Sequence, residues 1–222
     1  MVDFEILSVK TQIQEENDRA AQRLRGLLAS QNVFLVNVMA SPGAGKTTFL
    51  LRTIEALKSK YRIGVMEADA DGDTDAKTIA ATGVKVIQLH TGGSCHMDAC
   101  MTERGIEALG IEDLDIVFLE NVGNLVCPAE FDVGANFKVM LLSVPEGDDK
   151  PLKYPLMFKV SDVMLINKTD VAEVFDFDFE KAEARAKALN PDIKTLRISA
   201  EKGDGIAPWI KLLEDEMEAV KA

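Results

Sequence analysis

From residue 33 onwards, short apolar runs alternate with longer segments in which apolar side chains recur every three or four residues. The short runs have the length of buried strands, and the longer segments have the spacing of amphipathic helices. The pattern predicts seven strands, at residues 33–39, 62–66, 84–89, 114–120, 136–143, 161–167 and 193–198. It predicts helices near residues 46–59, 75–81, 95–109, 152–159, 178–189 and 206–221.

This alternation favours an α/β fold with a mostly parallel, doubly wound sheet and helices on both of its faces. Ligands bind such sheets at the carboxyl ends of the strands. Residues 5–30 carry apolar side chains at helical spacing among charges, which predicts an amphipathic helix ahead of the first strand. We therefore divide the chain into an N-terminal helical segment, residues 1–31, and one α/β domain, residues 32–222.

Composition and charge narrow the classes of protein to consider. The 222 residues are 47% hydrophobic and carry a net charge of −12, which argues against general affinity for nucleic acid or anionic membranes. The apolar runs are too short to cross a bilayer, and the first residues lack the pattern of a secretory signal. We expect a cytoplasmic protein whose three cysteines are free or bind metal.

A phosphate-binding loop is predicted between the first strand and the following helix. The segment Ala40-Ser-Pro-Gly-Ala-Gly-Lys-Thr-Thr48 matches the P-loop pattern except at Ala40, where the pattern has glycine. Small residues let backbone N–H groups wrap a phosphate, while Lys46 reaches the β and γ phosphates and the Thr47 hydroxyl binds Mg²⁺. The predicted nucleotide contacts are Gly43, Ala44, Gly45, Lys46, Thr47 and Thr48. The loop therefore predicts a P-loop NTPase.

The sixth predicted strand ends in Asn167-Lys168-Thr-Asp170, the N-K-x-D motif that reads guanine. A carboxylate at Asp170 accepts hydrogen bonds from the N1–H and N2 groups that adenine lacks, so the motif predicts GTP. Asn167 either reaches the purine edge or braces the phosphate loop, and the Lys168 stem lies across the base. Ser199 and Ala200, after the last predicted strand, are further candidates for contact with the base.

Acidic residues at two other strand ends are candidates for Mg²⁺ binding and hydrolysis. Glu120 begins an E-x-x-G sequence, in which the Gly123 N–H can sense the γ phosphate as part of a second switch. Asp69 and Asp75 follow the second predicted strand, where we expect the first switch; a Ca²⁺ loop is the alternative for this segment. The predicted Mg²⁺ ligands are Thr47, Asp69, Asp75 and Glu120. With Lys46, these carboxylates are the candidate catalytic residues, and we expect slow intrinsic hydrolysis because no glutamine follows Gly123.

All the cysteines fall in two short segments that also hold one of the two histidines. Cys95 and His96 open the predicted helix 95–109, and Cys127 follows the second switch, so folding can bring them to one edge of the sheet. Thiolate and imidazole ligands suit Zn²⁺ or Ni²⁺. Buried thiols without metal are the alternative, and Cys100 is either a core residue or an auxiliary ligand. A metal site here would be coupled to the nucleotide through the second switch.

These segments together resemble the HypB family, the GTPases that help to insert nickel into nickel-iron hydrogenase. The resemblance is carried by residues 41–48, 91–99, 120–132, 146–149 and 167–170. It implies a SIMIBI-class P-loop GTPase that forms a GTP-favoured homodimer, with Cys95, His96 and Cys127 of each subunit meeting as a Ni²⁺ or Zn²⁺ site. It also implies that the N-terminal segment contacts the HypA metallochaperone, and that the hydrogenase large subunit is an indirect partner. Lys153 is a candidate for contact near the nucleotide across the interface, and an ordinary exposed lysine is its alternative.

The sequence departs from the family pattern at several points. Ala40 and Ala68 stand where the family usually has glycine, and Gly72 where it often has threonine. Neither the C-x-x-C-G-C motif of some members nor the histidine-rich stretch of others is present, so the resemblance does not imply nickel storage by this chain alone.

Four other functions remain open at this stage. A urease nickel GTPase would have Cys-Pro-His where this chain has Cys127-Pro-Ala129, and a GTPase chaperone of cobalamin-dependent mutases would not call for these thiols. A small-molecule P-loop kinase predicts ATP preference, which Asp170 disfavours. A structural zinc protein predicts metal that stays bound in every nucleotide state.

Overall fold

The computed structural model describes residues 9–69 and 72–221. Within these residues the strands are β1 (Phe34–Ala40), β2 (Ile63–Asp69), β3 (Lys85–His90), β4 (Ile116–Glu120), β5 (Phe137–Ser143), β6 (Val163–Asn167) and β7 (Lys194–Arg197). The α-helices are α1 (Val9–Ser30), α2 (Lys46–Leu57), α3 (Thr74–Ala80), α4 (Ala99–Leu109), α5 (Cys127–Glu130), α6 (Lys150–Lys153), α7 (Pro155–Val160), α8 (Phe179–Leu189) and α9 (Ile206–Lys221). Short 3₁₀ helices cover Val144–Glu146 and Thr169–Val174.

The seven strands form one sheet in the order β3-β2-β4-β1-β5-β6-β7, and every pair of neighbours is parallel. This confirms the predicted α/β fold with a doubly wound sheet. β1 lies in the middle, between β4 and β5, so the loop after it stands at the centre of the carboxyl edge. Ligand sites of parallel sheets form at this edge, because the loops that follow the strands all meet there.

Helices cover both faces of the sheet. Alternate side chains of β1 point to opposite faces: Val36 packs with Phe49 of α2 and Trp209 of α9, whereas Leu35 and Met39 pack on the other face. That second face is covered by α1 and α4 on one side and by α7 and α8 on the other. Burial on both faces explains why the central strands are almost continuously apolar.

The C-terminal half of α1 belongs to the core. Leu24 and Leu28 are fully buried in one cluster with Leu35 of β1, and α1 also packs along α4. The helix predicted over 5–30 therefore forms over the described part, while its residues 5–8 lie outside the described residues.

Two predicted helices differ in the structure. The helix predicted over 95–109 begins only at Ala99, because the Asp98 side chain accepts a hydrogen bond from Met101 N and caps it. Cys95 and His96 therefore lie in the preceding loop, and the prediction that they open the helix is wrong. The helix predicted over 152–159 is broken at Tyr154, since Pro155 has no N–H to continue the first helix. None of the described helices has an apolar stretch long enough to cross a bilayer.

Candidate nucleotide and metal sites

The loop between β1 and α2 has the geometry of a phosphate cradle. Gly43 and Gly45 have positive φ angles of 73° and 99°, and a Cβ on Gly45 would lie 2.6 Å from Asn167 Nδ2. Glycine is therefore required at position 45 by both conformation and space. Ala40, by contrast, is the last residue of β1 and lies fully buried in ordinary extended backbone, so alanine is compatible with the loop. Lys46 and Thr47 occupy the first turn of α2, where free N–H groups attract phosphate.

The N-K-x-D segment is tied to this loop by two hydrogen bonds and to the loop after β7 by a third. Asn167, which is buried, donates from Nδ2 to Ala44 O at 2.9 Å and accepts from Ala200 N at 3.0 Å. Lys168 donates from Nζ to Gly43 O at 2.7 Å. Asn167 thus braces the phosphate loop, which was one of the two roles that the sequence left open.

A cavity of about 260 Å³ opens between the two segments. It is lined by Gly45, Thr48, Asn167, Lys168, Asp170, Val171, Ala200 and Glu201. Asp170 is held by Ser199, whose hydroxyl donates to the carboxylate at 2.6 Å. Arg52 of α2 donates to Ala200 O at 2.9 Å and to Glu201 O at 2.7 Å, and so fixes the last loop against the phosphate helix. Sequence reasoning missed Arg52, because its role depends on a contact between distant segments.

Three carboxylates converge beside the first turn of α2. Ligand oxygens of Glu67, Asp75 and Glu120 all lie within 4.8 Å of one another, and Thr47 Oγ1 donates to Glu120 Oε1 at 2.9 Å. Asp69 is outside this group; its Oδ1 accepts a hydrogen bond from Gly72 N at 2.9 Å. The intervening Asp71 lies outside the described residues. The structure therefore brings together Thr47, Asp75 and Glu120 from the predicted set and adds Glu67.

Glu67 was missed by the sequence analysis, because its role depends on how two strands pair. The parallel pairing of β2 with β4 places Glu67 directly beside Glu120. Both carboxylates follow apolar residues at period two, so they point to the same face of the sheet as Val65 and Phe118. A register between the two strands would have identified the pair, but sequence patterns do not give that register.

Burial dominates the electrostatics of this cluster. It raises the pKa of Glu120 to about 7, against the opposing effects of Lys46 and Thr47. Burial also raises the pKa of Glu67 to about 7, with Glu120, Asp69 and Asp75 adding and Gln88 opposing. Glu67 Oε2 and Glu120 Oε2 are buried without a hydrogen-bond partner among the described residues. Buried acceptors of this kind suit a hard divalent cation, which oxygen ligands satisfy.

The second cluster joins the two cysteine segments. Cys95 Sγ lies 2.7 Å from Cys127 Sγ and 3.8 Å from His96 Nδ1, and ligand atoms of the three residues fall within 4.8 Å of one another. The His96 ring stacks on Phe131 at 4.0 Å between centroids. Burial lowers the pKa of His96, which favours the neutral imidazole that binds metal. The neighbouring Cys95 thiol raises the pKa of Cys127.

Other predicted candidates lie apart from this cluster. Cys100 is exposed and is not one of the clustered ligands, so a core role for it is wrong. Lys153 is exposed and pairs at 2.6 Å with Asp149, the residue that precedes the same short helix.

One short segment touches both clusters. Asn124 N donates to Ala40 O at 2.9 Å, while its side chain donates to Cys95 O at 3.3 Å. A Cβ on Gly123 would lie 3.0 Å from Pro42 Cα, so this glycine lets the chain pack directly on the phosphate loop. Residues 120–127 are thus in contact with the phosphate loop at one end and hold a thiol ligand at the other.

Comparison with known proteins gives matches over most of the chain. A family model described as the CobW/HypB/UreG nucleotide-binding domain matches residues 34–197. Hydrogenase maturation factor HypB of Azotobacter chroococcum mcd 1 is 46% identical over 214 residues, which are 96% of this chain and 70% of the relative. HypB of Escherichia coli strain K12 is 44% identical over 211 residues, covering 95% of this chain and 73% of the relative.

A solved structure agrees with the sequence relatives. The crystal structure of HypB from Helicobacter pylori in complex with nickel matches with a TM-score of 0.87 and 34% identity, over 92% of this chain and 96% of that chain. With a family model across most of its length, close relatives over nearly all of it and the same fold, this chain belongs to the HypB family of hydrogenase maturation factors, P-loop proteins with a nucleotide-binding domain.

Proposed function

We propose that this chain is a GTP-hydrolysing metallochaperone that assists nickel insertion during maturation of nickel-iron hydrogenase. The observation that carries the proposal is the cluster of Cys95, His96 and Cys127, joined through residues 120–127 to the phosphate loop. Thiolates and an imidazole are ligands for a soft or borderline metal ion, which is the cargo in this proposal. Ni²⁺ is the expected cargo, and Zn²⁺ suits the same ligands.

The nucleotide site fits GTP. Gly43, Ala44 and Gly45 form the phosphate cradle, and Lys46 and Thr48 extend it from the helix. Asp170 lines the cavity with Ser199 as its neighbour, which supports the proposal that its carboxylate accepts two hydrogen bonds from guanine. Adenine would leave that charge without donors, which is the physical basis for discrimination. Lys168 and Ala200 complete the walls of the base cavity.

The carboxylate cluster fits Mg²⁺. Thr47 and Glu120 would hold the ion directly, with Asp75 and Glu67 beside them and Asp69 as a further predicted ligand or water-orienting group. When bound, Mg²⁺ neutralises charge on the β and γ phosphates. Lys46 adds a fixed positive charge there, and Gly123 N–H is the candidate sensor of the γ phosphate. Gly123 is followed by asparagine and leucine, not by a glutamine that positions water, so we expect slow intrinsic turnover.

Dimerisation is part of the proposal. Three protein ligands leave one position of a tetrahedral or square-planar ion open, which a second copy of the site can fill. Exposed apolar side chains near the metal ligands support such a contact surface. Helix α7 packs against both α5 and α6. The exposed side chains are Val126, just before α5, Leu152 of α6 and Leu156 of α7. GTP would favour the dimer by ordering residues 120–127, since a ligand shifts an equilibrium only through differential affinity.

The N-terminal segment, residues 1–31, is the proposed docking site for the HypA metallochaperone, with residues 32–222 as the GTPase domain. Ile13 of α1 is half exposed and offers an apolar contact outside the core. The hydrogenase large subunit would then be reached indirectly, in the cytoplasm.

Equilibrium dialysis against Ni²⁺ and Zn²⁺ tests the proposal, with the protein in its apo, GDP and non-hydrolysable GTP forms and its mass recorded in each. We expect metal affinity to change with nucleotide and to fall at least several-fold in Cys95→Ser. Cys100→Ser is the matched control, because Cys100 is exposed and lies outside the cluster. Equal affinity in all nucleotide states would indicate a structural zinc site, and no dependence on Cys95 would refute the metal site.

A further inference from the structure

Asn17 of α1 connects the two cysteine segments. Its Oδ1 accepts a hydrogen bond from Ala99 N at 2.9 Å, and its Nδ2 donates to Asp132 O at 2.9 Å. Ala99 follows Cys95 and His96 by a few residues, and Asp132 follows Cys127 at a similar distance along the chain. One buried amide therefore spans the two segments that supply the metal ligands.

A second contact fixes the same loop to α1. Arg25, two helical turns further on, donates from Nη2 to both carboxylate oxygens of Asp132, at 2.7 and 2.6 Å, and from Nε to Ala135 O at 3.3 Å. The residue before Asp132 is Phe131, which stacks on the His96 ring. The position of α1 thus affects the His96 ring through Phe131, and the Cys95 thiol through Ala99.

Packing alone does not account for an asparagine at position 17. Asn17 is 7% exposed and lies one turn before Ala20 and Ala21, which pack against Ala99 where α1 meets α4. A buried amide costs free energy unless its polar atoms are paired, and an apolar residue would bury the same surface without that cost. Here both ends of the amide are paired, and both partners are backbone groups of metal-ligand segments.

We propose that Asn17 is a positioning residue for the Cys95, His96 and Cys127 cluster, and that α1 couples the N-terminal segment to the metal ligands through it. The inference rests on the proposed metal site. A partner that pulls or turns α1 would move the Asn17 amide relative to Ala99 and Asp132, and so change the spacing between the two cysteine segments. A protein that binds the N-terminal segment would then alter metal affinity without touching a ligand.

Asn17→Ala and Asn17→Leu test this, with Ni²⁺ affinity measured by competition with a chelator and the nickel–thiolate charge-transfer spectrum recorded. Loss of groups that orient metal ligands costs about 10- to 100-fold in affinity, so we expect about tenfold weaker Ni²⁺ binding and a shifted spectrum in both. Leucine restores apolar volume but not the hydrogen bonds, so a role in packing predicts recovery in Asn17→Leu. Turnover of GTP should stay within twofold of the unaltered protein in both variants.

Leu213→Ala is the control for stability, because Leu213 is fully buried on the opposite face of the sheet. It should lower Tm without changing nickel affinity or the spectrum. The inference would be overturned if the Asn17 variants bound nickel as Leu213→Ala does at the same Tm. It would also be overturned if Asn17→Leu recovered normal nickel affinity. Cys95→Ser separates the two proposals: weaker binding there with unchanged Asn17 variants defeats only this inference, whereas unchanged binding in Cys95→Ser defeats the metal site itself.

Discussion

At the scale of the residue, Asn167 illustrates how a motif acquires a role that its letters do not state. N-K-x-D predicts contact with a base, yet the Asn167 amide bonds Ala44 of the phosphate loop and Ala200 of the last loop. Its neighbour Lys168 has a positive φ of 63° and reaches Gly43 O. These two residues therefore hold the site together, and we propose that Asp170 alone of the motif reads the base.

Asp170→Ala should cost GTP at least tenfold in affinity and leave ATP affinity nearly unchanged, because only guanine donates two hydrogen bonds to the carboxylate. Fluorescence titration with both nucleotides measures the ratio. Asp176→Ala, on an exposed loop shortly after it, is the control and should retain full selectivity. If Asp170→Ala kept the same preference for GTP over ATP as the unaltered protein, Asp170 would not be the residue that recognises guanine.

At the scale of the element, the segment between β4 and α5 carries the connection between the two sites. Its start is held by Glu120 and Thr47, and its middle by the backbone of Asn124 on Ala40. The same asparagine accepts from Val126 N at 2.8 Å through Oδ1 and donates to Cys95 O through Nδ2. We therefore propose that a movement of the phosphate loop is passed to the cysteine loop along this short stretch of chain.

Asn124→Asp should weaken this connection selectively. The carboxylate can still accept from Val126 N but cannot donate to Cys95 O. We expect the ratio of Ni²⁺ affinities between the GDP and GTP-analogue forms to shrink several-fold, while GTP affinity stays the same. Asn124→Ala removes both side-chain bonds and should lose the ratio as well. A ratio that survives in both variants would show that the coupling runs through other contacts.

At the scale of the whole molecule, the parallel sheet gathers acidic side chains from separate strands at one edge. Glu67 and Glu120 come from neighbouring strands and lie almost completely buried, in a protein that already carries a net charge of −12. Burying two carboxylates side by side is costly when both are ionised. The pair therefore makes stability depend on protonation and, in our proposal, on Mg²⁺ bound at the cluster.

Without divalent cations, the free energy of unfolding should fall as pH rises from about 5 to about 8. Burial raises the pKa of Glu67 from 4.5 to about 7, so the fold holds a proton that the unfolded chain releases, and this stabilisation is lost as pH passes through that range. Urea unfolding in EDTA measures it, and a loss on the order of 2 kcal/mol is expected. Saturating Mg²⁺ should restore much of the stability at the higher pH.

Glu67→Gln should reduce this pH dependence without abolishing it, because the glutamine carries no titrating proton while Glu120 keeps its raised pKa of about 7. Glu201→Gln, on an exposed loop, changes the net charge equally and should leave the slope as it is. An unaltered slope in Glu67→Gln would place the dependence elsewhere in the molecule.

The strands, most of the helices and the main motifs of this protein are predictable from its sequence. Strands buried on both faces are short apolar runs, whereas helices with one buried face carry apolar side chains every three or four residues. All seven predicted strands form within a few residues of their expected bounds. The P-loop is recognisable because its glycines are required by the local backbone conformation, as at Gly45 with its φ of 99°. The two thiol segments and N-K-x-D are equally visible as short, unbroken strings.

Tertiary structure decided everything that depends on which distant residues meet. Glu67 joins the cation cluster only through the register of β2 on β4, and Asn17 joins the cysteine segments only through the packing of α1. Such roles leave no local pattern, because the sequence around a buried asparagine or glutamate does not show which distant residue is its partner. The partner is determined by the register of the strands and the packing of the helices, which involve the whole fold.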